Sequence, residues 1–228
     1  MSRSAKLHWL ISCCSVLLAG LLFSVTLDPD ALSSPAFAVI NQALFVSLAC
    51  YLLLPDAGNL KAMFINSCSG VVMFIMLSRM PLAAGIPVTI LLQLCAVIFC
   101  LGMLLWSLTR LLQLLFPGSN SIRINVILLT TVVTSAPVWL GPVADIYQAD
   151  GVIVNGVVSL TPLTHFSVAA EYDYLRGEWM YQNSAFGSLP FAYPGFNSII
   201  ACYFLLLFIV QLILWGITRH PRILKSLH

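Results

Sequence analysis

The sequence predicts an all-α, polytopic integral membrane protein with six transmembrane helices, and three observations lead to this class. Of its 228 residues, 60% are hydrophobic and only 8% are charged, whereas soluble domains carry roughly 25% charged residues. The mean hydropathy of the chain is +0.99. Apolar runs such as residues 16–23 are hydrophobic on every face, while the strands of a membrane barrel alternate apolar and polar residues. We therefore expect helices, each with the roughly 20 apolar residues that cross a bilayer.

The six predicted spans belong to one transmembrane domain that covers residues 1–228. The first span has a basic start, as a signal peptide has, but its apolar run is long enough to cross the membrane. The nearest small-x-small motif, at residues 36–38, lies well beyond the end of that run, so we expect a retained helix. The predicted spans are Leu7–Leu27, Ala36–Leu54, Ala62–Leu77, Ile86–Leu108, Ile124–Leu140 and Ile199–Ile217.

The basic residues predict the orientation of the chain. With the amino terminus inside, seven of the eight acids fall outside, and the positive-inside rule is satisfied. We therefore expect both termini in the cytoplasm. The expected location is a bacterial inner membrane, where the spans contact lipid. The net charge of +2 and the absence of a basic run argue against a nucleic-acid partner. The basic residues on the inner side are Arg3, Lys6, Lys61, Arg110, Arg123, Arg219, Arg222 and Lys225.

The longest connection, residues 141–197, is predicted to be an extracytoplasmic, amphipathic or re-entrant loop that contains a helical hairpin. Thr161 and Pro162 read as the N-cap and first residue of a helix. After them, four apolar or aromatic residues recur at helical spacing and predict a stripe on one face. Two interpretations stay open: an aromatic belt that anchors the loop at the headgroups, or a gate. The stripe residues are Val168, Tyr172, Leu175 and Trp179.

Catalytic and metal-binding patterns are not found in the sequence. The seven cysteines fall within apolar stretches and none forms a Cys-x-x-Cys pair, so we expect neither disulfides nor a zinc site. The four histidines are not placed to face one another across a haem. No phosphate-binding loop and no hydrolase motif occurs, and no charge lies near a span's midpoint, as an ion-driven transporter would need. We therefore expect no catalytic residue and no bound cofactor.

Uncharged polar residues within the spans are candidates for a weakly polar substrate path. Without charged lining residues, such a path favours an amphipathic or lipid-linked substrate over a small ion. The alternative is that these side chains are hydrogen-bonding contacts between helices, which are common in membrane proteins. The candidate path residues are Gln42, Asn66, Gln93 and Thr131.

Three stretches of the chain together resemble the membrane subunits of ABC-2 type exporters. Residues 55–61, Pro-Asp-Ala-Gly-Asn-Leu-Lys, are similar to the cytoplasmic coupling segment of that family, with Asp56 where the family usually has Glu. Residues 101–110 resemble its fourth helix, a Gly-containing apolar run that ends in Ser-Leu-Thr-Arg. Residues 160–166, Leu-Thr-Pro-Leu-Thr-His-Phe, resemble the entry to its outer hairpin. The amino terminus departs from the family because it lacks a long amphipathic interfacial helix.

The resemblance implies a permease that exports its substrate with energy from ATP bound to a separate ATPase subunit. A second permease chain, identical or different, would complete the working unit. The residues that the resemblance implies for ATPase coupling are Asp56, Gly58, Asn59 and Lys61. For residues 161–194 the resemblance implies a re-entrant hairpin before the last helix, and together with the predicted stripe it makes this segment a candidate gate. The candidate gate residues are His165, Phe166, Tyr172, Leu175 and Trp179. For the 55–61 segment, the alternative is a plain turn between helices. For the whole chain, the alternative is a non-catalytic anchor that assembles a larger membrane complex; an intramembrane enzyme is a third option.

Overall fold

The computed structural model describes residues 35–78, 85–117, 121–140, 151–176, 189 and 191–219. The regular structure within these ranges is entirely helical. The predicted first span, Leu7–Leu27, lies outside the described residues, and so does Trp179. The helices are α1 (Pro35–Leu53), α2 (Leu60–Leu77), α3 (Val88–Leu115), α4 (Ile122–Thr134), α5 (Ala136–Trp139), α6 (Gly151–Leu160), α7 (Pro162–Ala169) and α8 (Phe196–Arg219).

Four of these helices, α1, α2, α3 and α8, are long and apolar enough to cross a membrane. The pair α6 and α7 makes a fifth span if the two are counted as one bent crossing. This confirms the all-α, multi-pass class predicted from the sequence. The observed bounds lie close to the predicted ones for α1, α2 and α8. Helix α3 continues past the end of the predicted span at Leu108 and reaches Leu115, a continuation that the sequence allows up to Pro117 and Gly118.

The predicted span Ile124–Leu140 is interrupted in the structure. Helix α4 has 13 residues, which is about 20 Å of helix against a hydrocarbon core of about 30 Å. Pro137 lacks a backbone N–H, so it cannot continue the ladder of hydrogen bonds, and a new short helix begins at Ala136. The hydroxyl of Ser135 donates to the carbonyls of Thr131 and Val132, which satisfies backbone groups at the break.

Helix α3 is the centre of the bundle, because α1, α2, α4, α7 and α8 all pack on it. Its closest neighbour is α2, and the seam between them contains small residues. A Cβ atom added at Gly102 would lie 3.0 Å from the hydroxyl oxygen of Ser67. Only glycine therefore fits at position 102 without movement, and small residues of this kind let two membrane helices approach closely.

The two ends of the bundle differ in the segments found there. At one end, which we call the loop end, α1 is joined to α2 by residues 54–59, and Arg123 at the start of α4 contacts the last carbonyls of α1. At the other, the hairpin end, the ring of Phe37 near the start of α1 lies 6.0 Å from that of Tyr172, which follows α7. The two candidate sites implied by the resemblance thus lie at opposite ends.

Helices α6 and α7 meet at Thr161 with a bend of 78°. The predicted start of α7, with Thr161 as N-cap and Pro162 as the first residue, is confirmed. The helix α6 that precedes it was not predicted. We use the term hairpin for residues 151–176, which comprise α6, α7 and the turn after α7.

The predicted stripe of Val168, Tyr172 and Leu175 along one helix is wrong, because α7 ends at Ala169. The amide of Glu171 donates to Val168 O at 3.2 Å, and that of Tyr172 donates to Ser167 O at 3.0 Å. Glu171 itself has φ 53°. These are the features of a Schellman motif, in which a left-handed residue ends the helix. The chain reverses there, so the residues from Tyr172 onward leave the helix axis.

Candidate functional site

The α1–α2 loop, residues 54–59, contains the predicted coupling residues or adjoins them. Asn59 is the N-cap of α2, and its side-chain oxygen accepts a hydrogen bond from the amide of Ala62 at 2.9 Å. This cap satisfies one of the orphan amides at the helix start. The predicted coupling residues are exposed to solvent or lipid, and they are Asp56, Gly58, Asn59 and Lys61.

Asn66, one of the candidate path residues, contacts this loop. Its side chain is buried, and its amide nitrogen donates to Pro55 O at 2.9 Å. The hydrogen bond joins the second turn of α2 to Pro55, two residues beyond the end of α1. Asn66 therefore fixes the loop from the α2 side.

Arg123 fixes the same loop from the other side, and the sequence analysis did not assign it a role. Its Nε donates to Tyr51 O at 2.9 Å, and its Nη2 donates to the carbonyls of both Tyr51 and Leu54. Its Nη1 lies 3.3 Å from a carboxylate oxygen of Asp56. The guanidinium carbon also lies 4.8 Å from the centroid of the Trp106 ring and 5.5 Å from that of Tyr51. Arg123 therefore joins α4 to the end of α1, to the loop and to α3.

Arginine suits this position for three physical reasons. The carbonyls at the end of α1 have no partner within the helix and carry the negative end of its dipole. The guanidinium offers five N–H donors in one plane, enough to reach several of these acceptors at once. Its flat face packs on aromatic rings, which a lysine ammonium cannot reproduce. The sequence shows an Arg at the start of a span, but it does not show that its partners lie about 70 positions earlier.

Polar contacts also connect α3 to α1 and α8 in the half of the bundle near the loop end. The hydroxyl of Tyr51 is hydrogen-bonded to that of Thr109, and the Tyr51 ring lies 4.9 Å from that of Trp106. The side-chain amide of Gln211 donates to the hydroxyl of Ser107 at 2.9 Å. The Tyr51–Trp106 pair, on which the guanidinium of Arg123 also packs, therefore connects the end of α1, next to the loop, with α3.

At the hairpin end, α7 packs against α1, α3, α4 and α8. Phe166, a predicted gate residue, is completely buried there, as are Thr164 and Ser167 on the same short helix. A helix of 8 residues is about 12 Å long and cannot cross a membrane by itself. It occupies the space between the longer helices instead.

His165, the second predicted gate residue, holds the bend between α6 and α7. Its Nε2 lies 2.8 Å from Ser159 O, and its Nδ1 lies 2.8 Å from the hydroxyl of Tyr203 on α8. A carbonyl oxygen only accepts, so Nε2 carries the proton, and Nδ1 accepts from the Tyr203 hydroxyl. The hydroxyl of Thr161 donates to Val157 O at 2.8 Å. Two carbonyls near the end of α6 are thus satisfied by side chains, as a break inside a membrane requires.

A compact cover, formed by residues 172–176 and 191–193, lies next to α7. Within it the hydroxyl of Tyr193 donates to Asp173 at 2.6 Å, and the hydroxyls of Tyr174 and Thr164 lie 3.1 Å apart. The amide of Ala192 donates to the side chain of Asn155 on α6 at 2.8 Å. Burial raises the pKa of Tyr174 to about 12. Burial, with the Asp173 carboxylate next in effect, also raises the pKa of Tyr193.

Of the three remaining predicted gate residues, two belong to this cover and the third lies outside the described residues. Leu175 is completely buried in it, in a cluster with Val154 and Val158 of α6. Tyr172 is half-buried and close to Phe37. Trp179 is not among the described residues. Although the helical stripe is wrong, the turn after α7 still brings Tyr172 and Leu175 next to that helix.

The four candidate path residues are not brought together. Gln42 is buried and donates to Leu77 O at 3.2 Å, in the half near the hairpin end, whereas Asn66 lies at the loop end. Gln93, near the start of α3, has a buried side-chain oxygen that lacks a hydrogen-bond partner among the described residues. Thr131 is on the exposed face of α4. Gln42 and Gln93 therefore share one half of the bundle with His165.

No protein-family model matches the chain, and neither does any curated protein or solved structure. Among the described residues, no three His, Cys, Asp or Glu side chains are grouped as metal ligands would be.

Proposed function

We propose that the chain is the membrane-spanning permease subunit of an ATP-driven ABC-2 type exporter, with an amphipathic or lipid-like substrate. One observation carries the proposal: a short helix, α7, follows a 78° bend, packs against α1, α3, α4 and α8, and is held there by the hydrogen bonds of His165. A packed, broken segment of this kind is what a gated translocation path needs, whereas a plain membrane anchor does not require one.

The opposite end supports a contact with an energy-supplying partner. The α1–α2 loop is short, exposed at Asp56, Gly58 and Asn59, and fixed from both sides by Asn66 and Arg123. A fixed loop can transmit a push from a cytoplasmic protein to the helices it joins. In the proposed orientation, with both termini in the cytoplasm of a bacterial inner membrane, this end faces the cytoplasm.

Helix α8 has an exposed apolar face that can contact a second permease chain or lipid. Most of its apolar side chains are exposed in the single chain, including Phe204, Phe208 and Trp215. In a membrane protein such a face contacts lipid or another subunit. We propose that two permease chains, identical or different, assemble with two ATPase chains, and that ATP binds to the ATPase and not to this chain.

Purification from native membranes tests the proposal. The tagged protein is extracted in mild detergent, and the proteins that accompany it are identified and assayed for ATP hydrolysis. The proposal predicts a stoichiometric ATP-hydrolysing subunit. Recovery with redox or other enzyme subunits, and without any ATPase, would support a membrane anchor instead.

A further inference from the structure

Arg123 contacts the α1–α2 loop at more than one point. It contacts the loop at its beginning, through Leu54 O, and in its middle, through the Asp56 carboxylate. It also holds the last turn of α1 through Tyr51 O. Asn66 adds one contact, to Pro55 O, from the other side. The loop between these points has no regular secondary structure, so side-chain contacts determine its shape.

Ala57 shows that this shape is specific. It is only 5% exposed although it lies in the middle of the loop, and it belongs to the main core cluster of the bundle. The next residue, Gly58, is exposed, and nothing lies within 4 Å of a Cβ atom built there. The loop therefore turns Ala57 inward and Gly58 outward, and Arg123 holds the residues on the amino-terminal side of this turn.

The arrangement also determines the charge that the loop presents. Asp56 is paired with Arg123, so its negative charge is partly compensated. Lys61 forms no ion pair with any acid in the part of the chain that the structure describes. Beside it, Leu60 is 55% exposed. The surface that follows the loop is therefore a cation next to an apolar side chain, which complements an apolar groove with an acidic rim.

We propose that Arg123 is a positioning residue for the partner contact: it holds the α1–α2 loop in one conformation so that Leu60 and Lys61 meet such a groove on the ATPase. The inference rests on the proposed function for the identity of the partner. The role of Arg123 in the conformation of the loop does not rest on the proposed function, because that conformation depends on contacts within this chain. The two parts can therefore be tested separately.

The first experiment measures loop conformation in the full-length permease in detergent or nanodiscs. Cysteines introduced by Ala57→Cys and, in a separate protein, Gly58→Cys are labelled with a water-soluble thiol reagent and quantified peptide by peptide. Without further change, position 57 should react slowly because it is buried, and position 58 should react rapidly because it is exposed. Adding Arg123→Gln should accelerate labelling at position 57 about tenfold, since local opening becomes easier, and should leave position 58 unchanged. Arg123→Lys should give an intermediate rate, because lysine keeps the charge but not the planar donors.

The second experiment measures the contact with the ATPase that copurifies, as the amount of ATPase recovered per folded permease chain. Arg123→Gln should lower this amount about fivefold, because a smaller fraction of the loop is in the conformation that binds, and Arg123→Lys should give an intermediate value. Unchanged recovery of the ATPase in a variant whose position 57 labels faster would show that the contact does not depend on the loop conformation, and would overturn the positioning claim.

The outcomes of the two experiments separate the two proposals. Unchanged labelling at position 57 in Arg123→Gln would overturn the role of Arg123, whichever partner exists. Failure to find an ATPase would overturn the proposed function and the identity of the partner, and the labelling result would still decide whether Arg123 holds the loop.

Discussion

The Nδ1 atom of His165 lies 2.8 Å from the hydroxyl of Tyr203, and this pair attaches the hairpin to the last spanning helix. The same imidazole uses its other nitrogen to donate to Ser159 O across the 78° bend. One side chain thus connects α6, α7 and α8. Any movement that opens the hairpin end must break or carry along these contacts.

Replacing His165 with Ala should destabilise the hairpin more than replacing Tyr203 with Phe. The first change leaves both the Ser159 carbonyl and the Tyr203 hydroxyl without their partner, at a cost of about 1–3 kcal/mol for each buried group. The second removes only one hydrogen bond and keeps the aromatic ring. Hydrogen exchange of residues 162–169 in nanodiscs measures the difference. Equal effects of the two substitutions would show that the bond to Ser159 contributes nothing.

Glu171→Gly should stabilise the turn after α7. Glu171 has φ 53°, a conformation that costs a residue with a side chain roughly 1–2 kcal/mol and that glycine adopts readily. Because glycine also gains freedom in the unfolded chain, a net increase of about 0.5–1 kcal/mol in the free energy of unfolding is expected. Glu171→Ala is the control, since it removes the charge and keeps the strain. If alanine stabilises as much as glycine, the backbone explanation is wrong.

Gly102→Ala should push α2 and α3 apart. The added Cβ would lie 3.0 Å from the hydroxyl oxygen of Ser67, and overpacking of this kind costs about 1–3 kcal/mol. Ser67→Ala removes that oxygen, so the double variant should recover part of the lost stability. Gly58→Ala, at a position with open space, is the matched control and should change little. A double variant that is no more stable than Gly102→Ala would mean that the seam yields elsewhere.

The spans were predictable because apolar runs of sufficient length leave few alternatives. Helices α1, α2 and α8 lie close to where the sequence places them, and the start of α7 follows from Thr161 and Pro162. The end of α7 was not predictable, because Glu171 is an unusual residue for a left-handed position that normally requires glycine. The interruption at Ser135 had a visible signal in Pro137, which the sequence analysis passed over.

The candidate sites were predictable only where their residues are adjacent in the sequence. Residues 56–61 form one continuous segment, so the sequence alone places them next to one another. Arg123 and Asn66 reach the same loop from other helices, and one sequence without covariation does not reveal such long-range pairs. Gln42, Asn66 and Thr131 share a polar character in the sequence, but helix rotation puts the first two in the interior and the third on the exposed face.

The cover should lose stability at high pH. In the folded protein the pKa of Tyr174 is raised by burial to about 12, against 10.0 for the free side chain. The fold therefore favours the protonated phenol. Its contribution is fully present below about pH 10 and is lost as the pH rises through about 12. The midpoint of denaturant unfolding, followed across this range, should fall less steeply in Tyr174→Phe. An identical pH dependence in both proteins would show that Tyr174 is accessible to solvent.

In the proposed exporter, the hairpin end is a gate that is closed in the resting protein and opens with ATP on the partner, and thiol labelling of two neighbouring positions tests this. Cysteines are introduced at Glu171, which is exposed, and at Tyr172, which is half-buried near Phe37. In the complex with its ATPase, position 171 should react with a water-soluble reagent in all conditions. Position 172 should be protected until ATP and substrate are added, and its labelling should then rise several-fold. Equal labelling of both positions with and without ATP would contradict the gate.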